Sequence, residues 1–154
     1  MEITQLNLNT EKISDDKAKK LYSQIQELIE KLNEKKIPSQ AISFINKQIN
    51  GLNVSTLTNS LLHKHLKNTQ TAIIKKLEAD HKIVPKNYYR NLWTALGMAT
   101  LGLPFGTVLG LLMGNIGLMA LGLPLGLAIG VGIGTSLDKK ALQEGRQIDI
   151  ELKL

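Results

Sequence analysis

Cysteine is absent from this 154-residue chain. The absence excludes a disulfide framework, a thiolate metal site and a cysteine nucleophile. Histidine is scarce as well: His63 and His65 point in different directions on a predicted helix, and His81 stands alone. Because no group of candidate catalytic or ligating side chains stands out, we predict that the protein is not an enzyme and has no catalytic, cofactor-binding or metal site.

Ionisable side chains are missing from 47 consecutive residues, 91–137. A transmembrane helix needs roughly 20 apolar residues, so this run suffices for two crossings and a tight turn. A buried core of a soluble protein is the alternative, but the run is too long for one. We predict membrane helices at about residues 92–113 and 117–136, together a hairpin over residues 92–136 with its turn near residues 114–117.

Glycine recurs at every fourth position of this run, in two series. The series are Gly102, Gly106, Gly110 and Gly114, then Gly122, Gly126, Gly130 and Gly134. Such GxxxG stripes allow the close backbone contact that holds helices together in lipid. The antiparallel pairs expected from this spacing are Gly102 with Gly130, Gly106 with Gly126, Gly110 with Gly122 and Met98 with Gly134. The spacing fits contact within one chain and contact between chains in a homo-oligomer.

A short repeat contains both membrane prolines. Residues 101–106 read LGLPFG, and residues 121–126 read LGLPLG. Pro104 and Pro124 cannot donate a main-chain hydrogen bond, so we expect a helix kink at each. Broken helices occur at transport sites, but the lack of ionisable side chains in the membrane favours a structural role.

Charge and aromatic residues surround the apolar run. Residues 1–90 contain 15 basic and 9 acidic side chains, and residues 138–154 contain four of each. Basic residues next to both spans predict that both termini are cytoplasmic. The predicted membrane-interface residues are Tyr88, Tyr89, Arg90, Trp93, Lys139 and Lys140. Asn87 is the expected N-cap of the first span. The lipid bilayer is the expected partner; no nucleic acid is expected, because no basic face interleaved with aromatic residues is present.

Residues 14–81 are predicted to form a small cytoplasmic helical bundle, after an N-terminal segment at residues 1–13. The first helix begins after Ser14 as its cap and runs to about residue 36. The second begins at Pro38 and Ser39, with Gly51 near its end, and the third covers about residues 55–80. The third carries an apolar stripe that Thr69 and Gln70 interrupt. Bundle core is the simpler reading of these stripes, and a protein partner docking on the third helix is the other.

The ends of the hairpin join it to a linker and a tail. Residues 82–91 are predicted to be a basic and aromatic interfacial linker, and residues 137–154 a cytoplasmic tail. Helix is expected to continue to Glu144 and to end at Gly145. The alternating residues Ile148, Ile150, Leu152 and Leu154 predict a strand, paired with the N-terminus or with the sheet edge of another protein.

A resemblance covers residues 82–153 or so. The segments NYYRNLW (87–93), DKKA (138–141) and EGRQIDIE (144–151), with the glycine-spaced spans between them, resemble uncharacterised bacterial glycine-zipper membrane proteins with two spans. The resemblance implies a bacterial membrane and no particular activity.

Together these features predict an all-α membrane protein of the bacterial cytoplasmic membrane. The predicted function is that of a scaffold or adaptor, in which the hairpin packs or oligomerises and displays the helical domain. The alternative is a pore-forming protein of holin-like or toxin-like character, built from several hairpins associated through the glycine stripe.

Overall fold

The structure of the protein, a computed structural model, describes residues 2–8, 15–35, 37–55, 57 and 59–152. It is mostly helical, and its described elements are α1 (Asp16–Asn33), α2 (Ser39–Asn53), α3 (Asn59–His81), β1 (Val84–Lys86), α4 (Tyr88–Leu112), α5 (Ile116–Gln143) and β2 (Gln147–Glu151). The chain divides into two compact units. The first comprises Met1–Pro85 and Ile148–Leu154, and the second comprises Lys86–Gln147.

Helix α1 begins one residue later than predicted. Asp15 is its N-cap, and the Asp15 carboxylate accepts a hydrogen bond from the Lys17 N–H at 3.0 Å. The predicted cap, Ser14, and the predicted end, residue 36, lie outside the described residues. Near the end of the helix Lys31 donates to Glu34, which raises the pKa of the Lys31 ammonium. The predicted apolar face is buried except for Tyr22, which is half-buried; its buried residues are Leu21, Ile25, Leu28, Ile29 and Leu32.

Helices α2 and α3 complete the core of the first unit. Pro38 and Ser39 open α2 as predicted, and its Ile42, Ile45, Ile49 and Leu52 are buried. The predicted start of α3 at residue 55 is wrong, because α3 begins at Asn59 and the Ser55 N–H donates to the Leu52 carbonyl in the turn that follows α2. Helix α3 contacts both α1 and α2. These contacts place the apolar stripes in one shared core.

The two polar residues of α3 do not interrupt its buried face. Thr69 and Gln70 are 4% and 0% exposed, like the leucines and isoleucines that flank them. Neither the amide nitrogen nor the amide oxygen of Gln70 has a hydrogen-bond partner among the described residues. A buried, unpaired amide is destabilising, since it has lost its bonds to water.

Replacing Gln70 with leucine is therefore expected to stabilise the helical unit by about 1 kcal/mol or more, because leucine fills a similar volume with no polar atom. Thermal unfolding followed by circular dichroism measures the change, with the exposed Gln40→Leu as control. A lower melting temperature for Gln70→Leu would contradict the explanation.

The predicted tail strand exists, but its partner is not the N-terminus. Strand β2 pairs with β1 in a two-stranded sheet, so the chain is mostly helical, as predicted, with one small sheet that the all-α expectation did not include. Ile148, Ile150 and Leu152 of the tail are buried, whereas Leu154 lies outside the described residues. Residues 2–8 instead use their main-chain groups to bind side chains of α1 and α2.

The two long helices of the second unit change their winding along their length. In α4 an α-helical segment, Tyr88–Leu96, is followed by a π-helix, Gly97–Gly102, and a second α-helical segment, Leu103–Leu112. Helix α5 starts as a 3-10 helix, Ile116–Leu121, and continues as an α-helix, Gly122–Gln143. The helical segment at the start of α4 begins four residues before the predicted first span.

Glycines end both long helices. Gly114 has φ +63° after α4, and Gly145 has φ +67° after α5, a conformation that glycine adopts without a steric penalty. The Asn115 N–H then donates to the Gly110 carbonyl at 3.0 Å, and the Arg146 N–H donates to the Ala141 carbonyl at 2.8 Å. Helix α4 thus ends just before the predicted turn at residues 114–117, and α5 begins within that range, at Ile116. The predicted helix stop at Gly145 is confirmed.

Candidate functional site

Helices α4 and α5 are both long and apolar enough to cross a membrane, with 25 and 28 residues. In their most apolar stretches only 22% and 17% of the residues are buried inside the protein. Their large side chains point outward; Leu111 and Leu112, for example, are 75% and 80% exposed. A core helix of a soluble protein buries such side chains, whereas α4 and α5 expose theirs.

Glycines form the buried face between α4 and α5. The buried glycines are Gly97, Gly102, Gly106 and Gly110 in α4, and Gly122, Gly126, Gly130 and Gly134 in α5. Between these glycines the contact of the two helices is therefore made by main chain rather than by interlocking side chains.

The two helices are so close that a Cβ atom on most of these glycines would overlap the opposite backbone. On Gly126 it would lie 2.6 Å from the nitrogen of Gly102, and on Gly122 it would lie 2.5 Å from the nitrogen of Gly106. On Gly134 it would lie 2.5 Å from the Cα of Arg90. These neighbours are backbone atoms, so no rotamer change can make room for a side chain.

The predicted register between the two glycine series is wrong. Gly102 lies against Gly122 rather than Gly130, and Gly134 lies against Arg90 rather than Met98. Gly97, which the period of four does not include, lies close to Gly130: a Cβ on Gly97 would be 2.9 Å from the Gly130 Cα. The contact therefore extends further toward the start of α4 than predicted.

The π-helix explains why Gly97 lies in the contact between α4 and α5. Gly102 follows Gly97 by five positions, whereas the later α4 glycines are four positions apart. A π-helical turn bonds each N–H to a carbonyl five residues back, as Leu103 does with Met98. The wider turn brings Gly97 to the face that Met98 would occupy in a regular α-helix.

Both membrane prolines, Pro104 and Pro124, lie just after a change of helix type. Pro104 is in the first turn of the α-helical segment after the π-helix, and Pro124 is the third residue of the segment after the 3-10 helix. A proline in the first turn of a helix needs no hydrogen-bond partner for its nitrogen. The structure thus accommodates the prolines through a change of helix type on the N-terminal side of each.

Gly114 differs from the other predicted packing glycines. It is exposed, and an added Cβ would meet nothing within 4 Å. Its role is the left-handed turn after α4, so its assignment to the helix contact is wrong. Met119 completes the contact at this end, with its Cγ 2.6 Å from a Cβ built on Gly110.

At the other end of the contact, the carboxylate of Asp138 binds the start of α4. Its two oxygens accept hydrogen bonds from the N–H groups of Tyr89 at 3.0 Å and Arg90 at 2.9 Å, and the residue is only 7% exposed. Asn87 occupies the predicted N-cap position with φ +58°, but its side chain makes no capping bond. The cap is supplied by α5 instead, and it places a negative charge at a helix N-terminus.

Asp138 is not among the predicted site residues, although its position in the sequence contains the signal. It follows Gly134 by four residues and so continues the series of Gly122, Gly126 and Gly130. A residue in that series faces α4, so a carboxylate there meets the unpaired N–H groups of the first turn.

The predicted interface residues lie at this same end of α4 and α5. The rings of Tyr88 and Tyr89 meet edge to face, with centroids 5.3 Å apart. Trp93 is partly exposed, and its carbonyl oxygen lies against Gly130. Arg90, Lys139 and Lys140 are exposed. The structure thus brings together aromatic and basic side chains from both helices.

Over the described ranges of the chain, no three histidine, aspartate or glutamate side chains cluster closely enough to hold a metal ion. Comparisons of the chain with known protein families, with curated proteins and with solved structures find no match. The resemblance to bacterial glycine-zipper proteins therefore stays a prediction.

Proposed function

We propose that this chain is a membrane-anchored scaffold or adaptor of a bacterial cytoplasmic membrane. In this proposal α4 and α5 form an antiparallel transmembrane hairpin, packed through glycine stripes, and the helical unit is displayed in the cytoplasm.

The observation that carries the proposal is the outward direction of the apolar side chains. Phe105, Leu111, Leu112 and Ile116 are more than half exposed, while the glycines between the helices are buried. Exposing such a surface to water is unfavourable by about 25 cal/mol per Å² of apolar area. In a bilayer the same surface contacts lipid, and close glycine contact supplies the attraction between the helices.

Charge supports the proposed orientation. Arg90, Lys139 and Lys140 stand at one end of the hairpin, and the connection from Met113 to Ile116 has no ionisable side chain. Basic residues stay on the cytoplasmic side, so this end and both termini are assigned to the cytoplasm. The uncharged connection is then the part that crosses the bilayer.

A dye-release experiment distinguishes the proposed membrane-anchored scaffold from the alternative, a pore-forming protein. Purified protein is reconstituted into liposomes loaded with a fluorescent dye, and insertion is verified by resistance to alkaline carbonate. We expect no release above that of empty liposomes, because the glycines that could join several hairpins are used within one chain. Dye release by inserted protein that disappears in Gly106→Leu and persists in Gly132→Leu would establish the pore instead.

A further inference from the structure

An asparagine of α2 binds the main chain of the N-terminal segment, residues 2–8. The Asn46 side-chain nitrogen donates to the Glu2 carbonyl at 3.2 Å, and its Oδ1 accepts from the Thr4 N–H at 2.8 Å. One side-chain amide thus satisfies a carbonyl and an N–H of the segment, as a neighbouring β-strand would.

A second asparagine repeats this arrangement further along the segment. The Asn53 side-chain nitrogen donates to the Gln5 carbonyl at 3.1 Å, and its Oδ1 accepts from the Asn7 N–H at 2.8 Å. In both cases the amide joins the carbonyl of one residue to the N–H of the second residue after it. The repetition indicates a groove that holds a peptide backbone.

The spacing on the helix matches the spacing on the segment. Asn53 follows Asn46 by seven positions along the α-helix, a rise of about 10.5 Å. The carbonyls that they bind belong to residues three apart, and an extended chain covers about 9 to 10 Å in three residues. The buried side chains of the segment, Ile3 and Leu6, are also three apart, at 4% and 2% exposure. A period of three is that of the polyproline II conformation, which has no hydrogen bonds of its own.

Helix α1 forms the other wall of the groove. The Asn33 Oδ1 accepts from the Ile3 N–H at 3.1 Å, and the Tyr22 hydroxyl donates to the Leu6 carbonyl at 3.1 Å. These bonds also go to main chain, so the groove fixes the path of the segment without selecting most of its side chains.

The segment leaves part of the groove unfilled. An open pocket of about 630 Å³ lies beside Leu6 and Asn7, and its wall includes Ile29 and Glu30 of α1 and Glu34, the residue after the end of α1. The pocket therefore combines the apolar side chains of Leu6 and Ile29 with two carboxylates. Glu34 already binds Lys31, so Glu30 is the carboxylate that a long basic side chain in place of Asn7 would meet.

We propose that this groove is the binding site for an extended peptide of a partner protein, and that residues 2–8 occupy it in the absence of the partner. The peptide carries apolar residues in place of Ile3 and Leu6 and a lysine or arginine in place of Asn7. This inference rests on the proposed adaptor function, for which it names the class of partner.

The test measures peptide exchange on the full chain. A protease site is inserted between residues 10 and 11, the protein is folded in detergent and then cut, and a fluorescent peptide of residues 1–8 is added. Fluorescence anisotropy is expected to show binding to the cut protein and at least about tenfold weaker binding to the uncut protein. The tethered segment competes at an effective concentration on the order of millimolar.

Variants identify the groove as the site. Asn46→Ala and Asn53→Ala are each expected to weaken binding by about tenfold, because each removes two hydrogen bonds to the peptide. Asn50→Ala is the matched control on an exposed position of the same helix and leaves binding unchanged. In the peptide, Asn7→Arg strengthens binding several-fold, whereas N-methylation of Thr4 and Asn7 abolishes it.

A second measurement uses the unmodified chain. The peptide with Asn7→Arg, added in excess, is expected to speed amide hydrogen exchange at Thr4 and Asn7 of the protein by displacing its own segment. Equal binding to cut and uncut protein, unfolding after the cut, or unchanged exchange would each overturn the proposal. Because these readouts need no bilayer, failure here leaves the dye-release result for the anchor intact.

Discussion

Alanine at Gly126 is expected to destabilise the pairing of α4 with α5 by about 2 kcal/mol or more, an overpacking effect. The added methyl group would lie 2.6 Å from the nitrogen of Gly102 and closer still to the carbonyl oxygen of Gly97. Both neighbours are backbone atoms of a helix, so the two helices must move apart. Separation reduces every other close contact along the interface, because packing attraction falls steeply with distance.

Gly132 provides a matched control on the same helix. It is exposed, and an added Cβ would meet nothing within 4 Å, so Gly132→Ala is expected to leave the pairing unchanged. The fluorescence of Trp93, the one tryptophan of the chain, follows unfolding in mixed micelles, since its carbonyl lies against Gly130 at the interface. Equal unfolding midpoints for the two alanine variants would refute the idea that the glycine contact holds the helices together.

The helices of this chain are largely predictable from its sequence, but the register between α4 and α5 is not. Apolar periodicity and capping residues give α1, α2 and the ends at Gly114 and Gly145. The register depends on the π-helix at Gly97–Gly102, and a π-helical turn has no sequence pattern as regular as the α-helical period. A five-residue step between glycines was the available signal.

The groove of the helical unit was beyond prediction for a different reason. Asn46 and Asn53 lie among the polar residues of α2, where a solvent-facing role is the ordinary interpretation. Their function depends on the path of residues 2–8, which carry too few apolar residues to predict a regular element. The pairing of β2 with β1 was also not predictable. Strand β1 has only three residues, and one of them is Pro85, so its sequence gives almost no indication of a strand.

Asparagine at Asp138 is expected to destabilise the start of α4 by about 2 kcal/mol, although it changes only one atom of the side chain. The carboxylate accepts hydrogen bonds from the N–H groups of both Tyr89 and Arg90. An amide has one oxygen to accept a bond, and its NH₂ group would face an N–H donor. The substitution also removes a negative charge from the N-terminus of a helix, at a buried position.

Amide hydrogen exchange at Tyr89 and Arg90 measures this effect directly, and the unfolding midpoint measures its consequence for the pairing of the helices. Lys139→Gln is the control, since Lys139 is the exposed neighbour of Asp138 and its substitution should change stability by less than about 0.5 kcal/mol. If Asp138→Asn exchanged at the native rate at both amides, the carboxylate would not be the cap. If exchange became faster at these two amides while the amides near Gly126 stayed protected, Asp138 would stabilise only the start of α4, and the glycines would stabilise the middle of the contact. That result would divide the stability of the helix pair between one charged cap and one backbone contact, each tested by its own substitution.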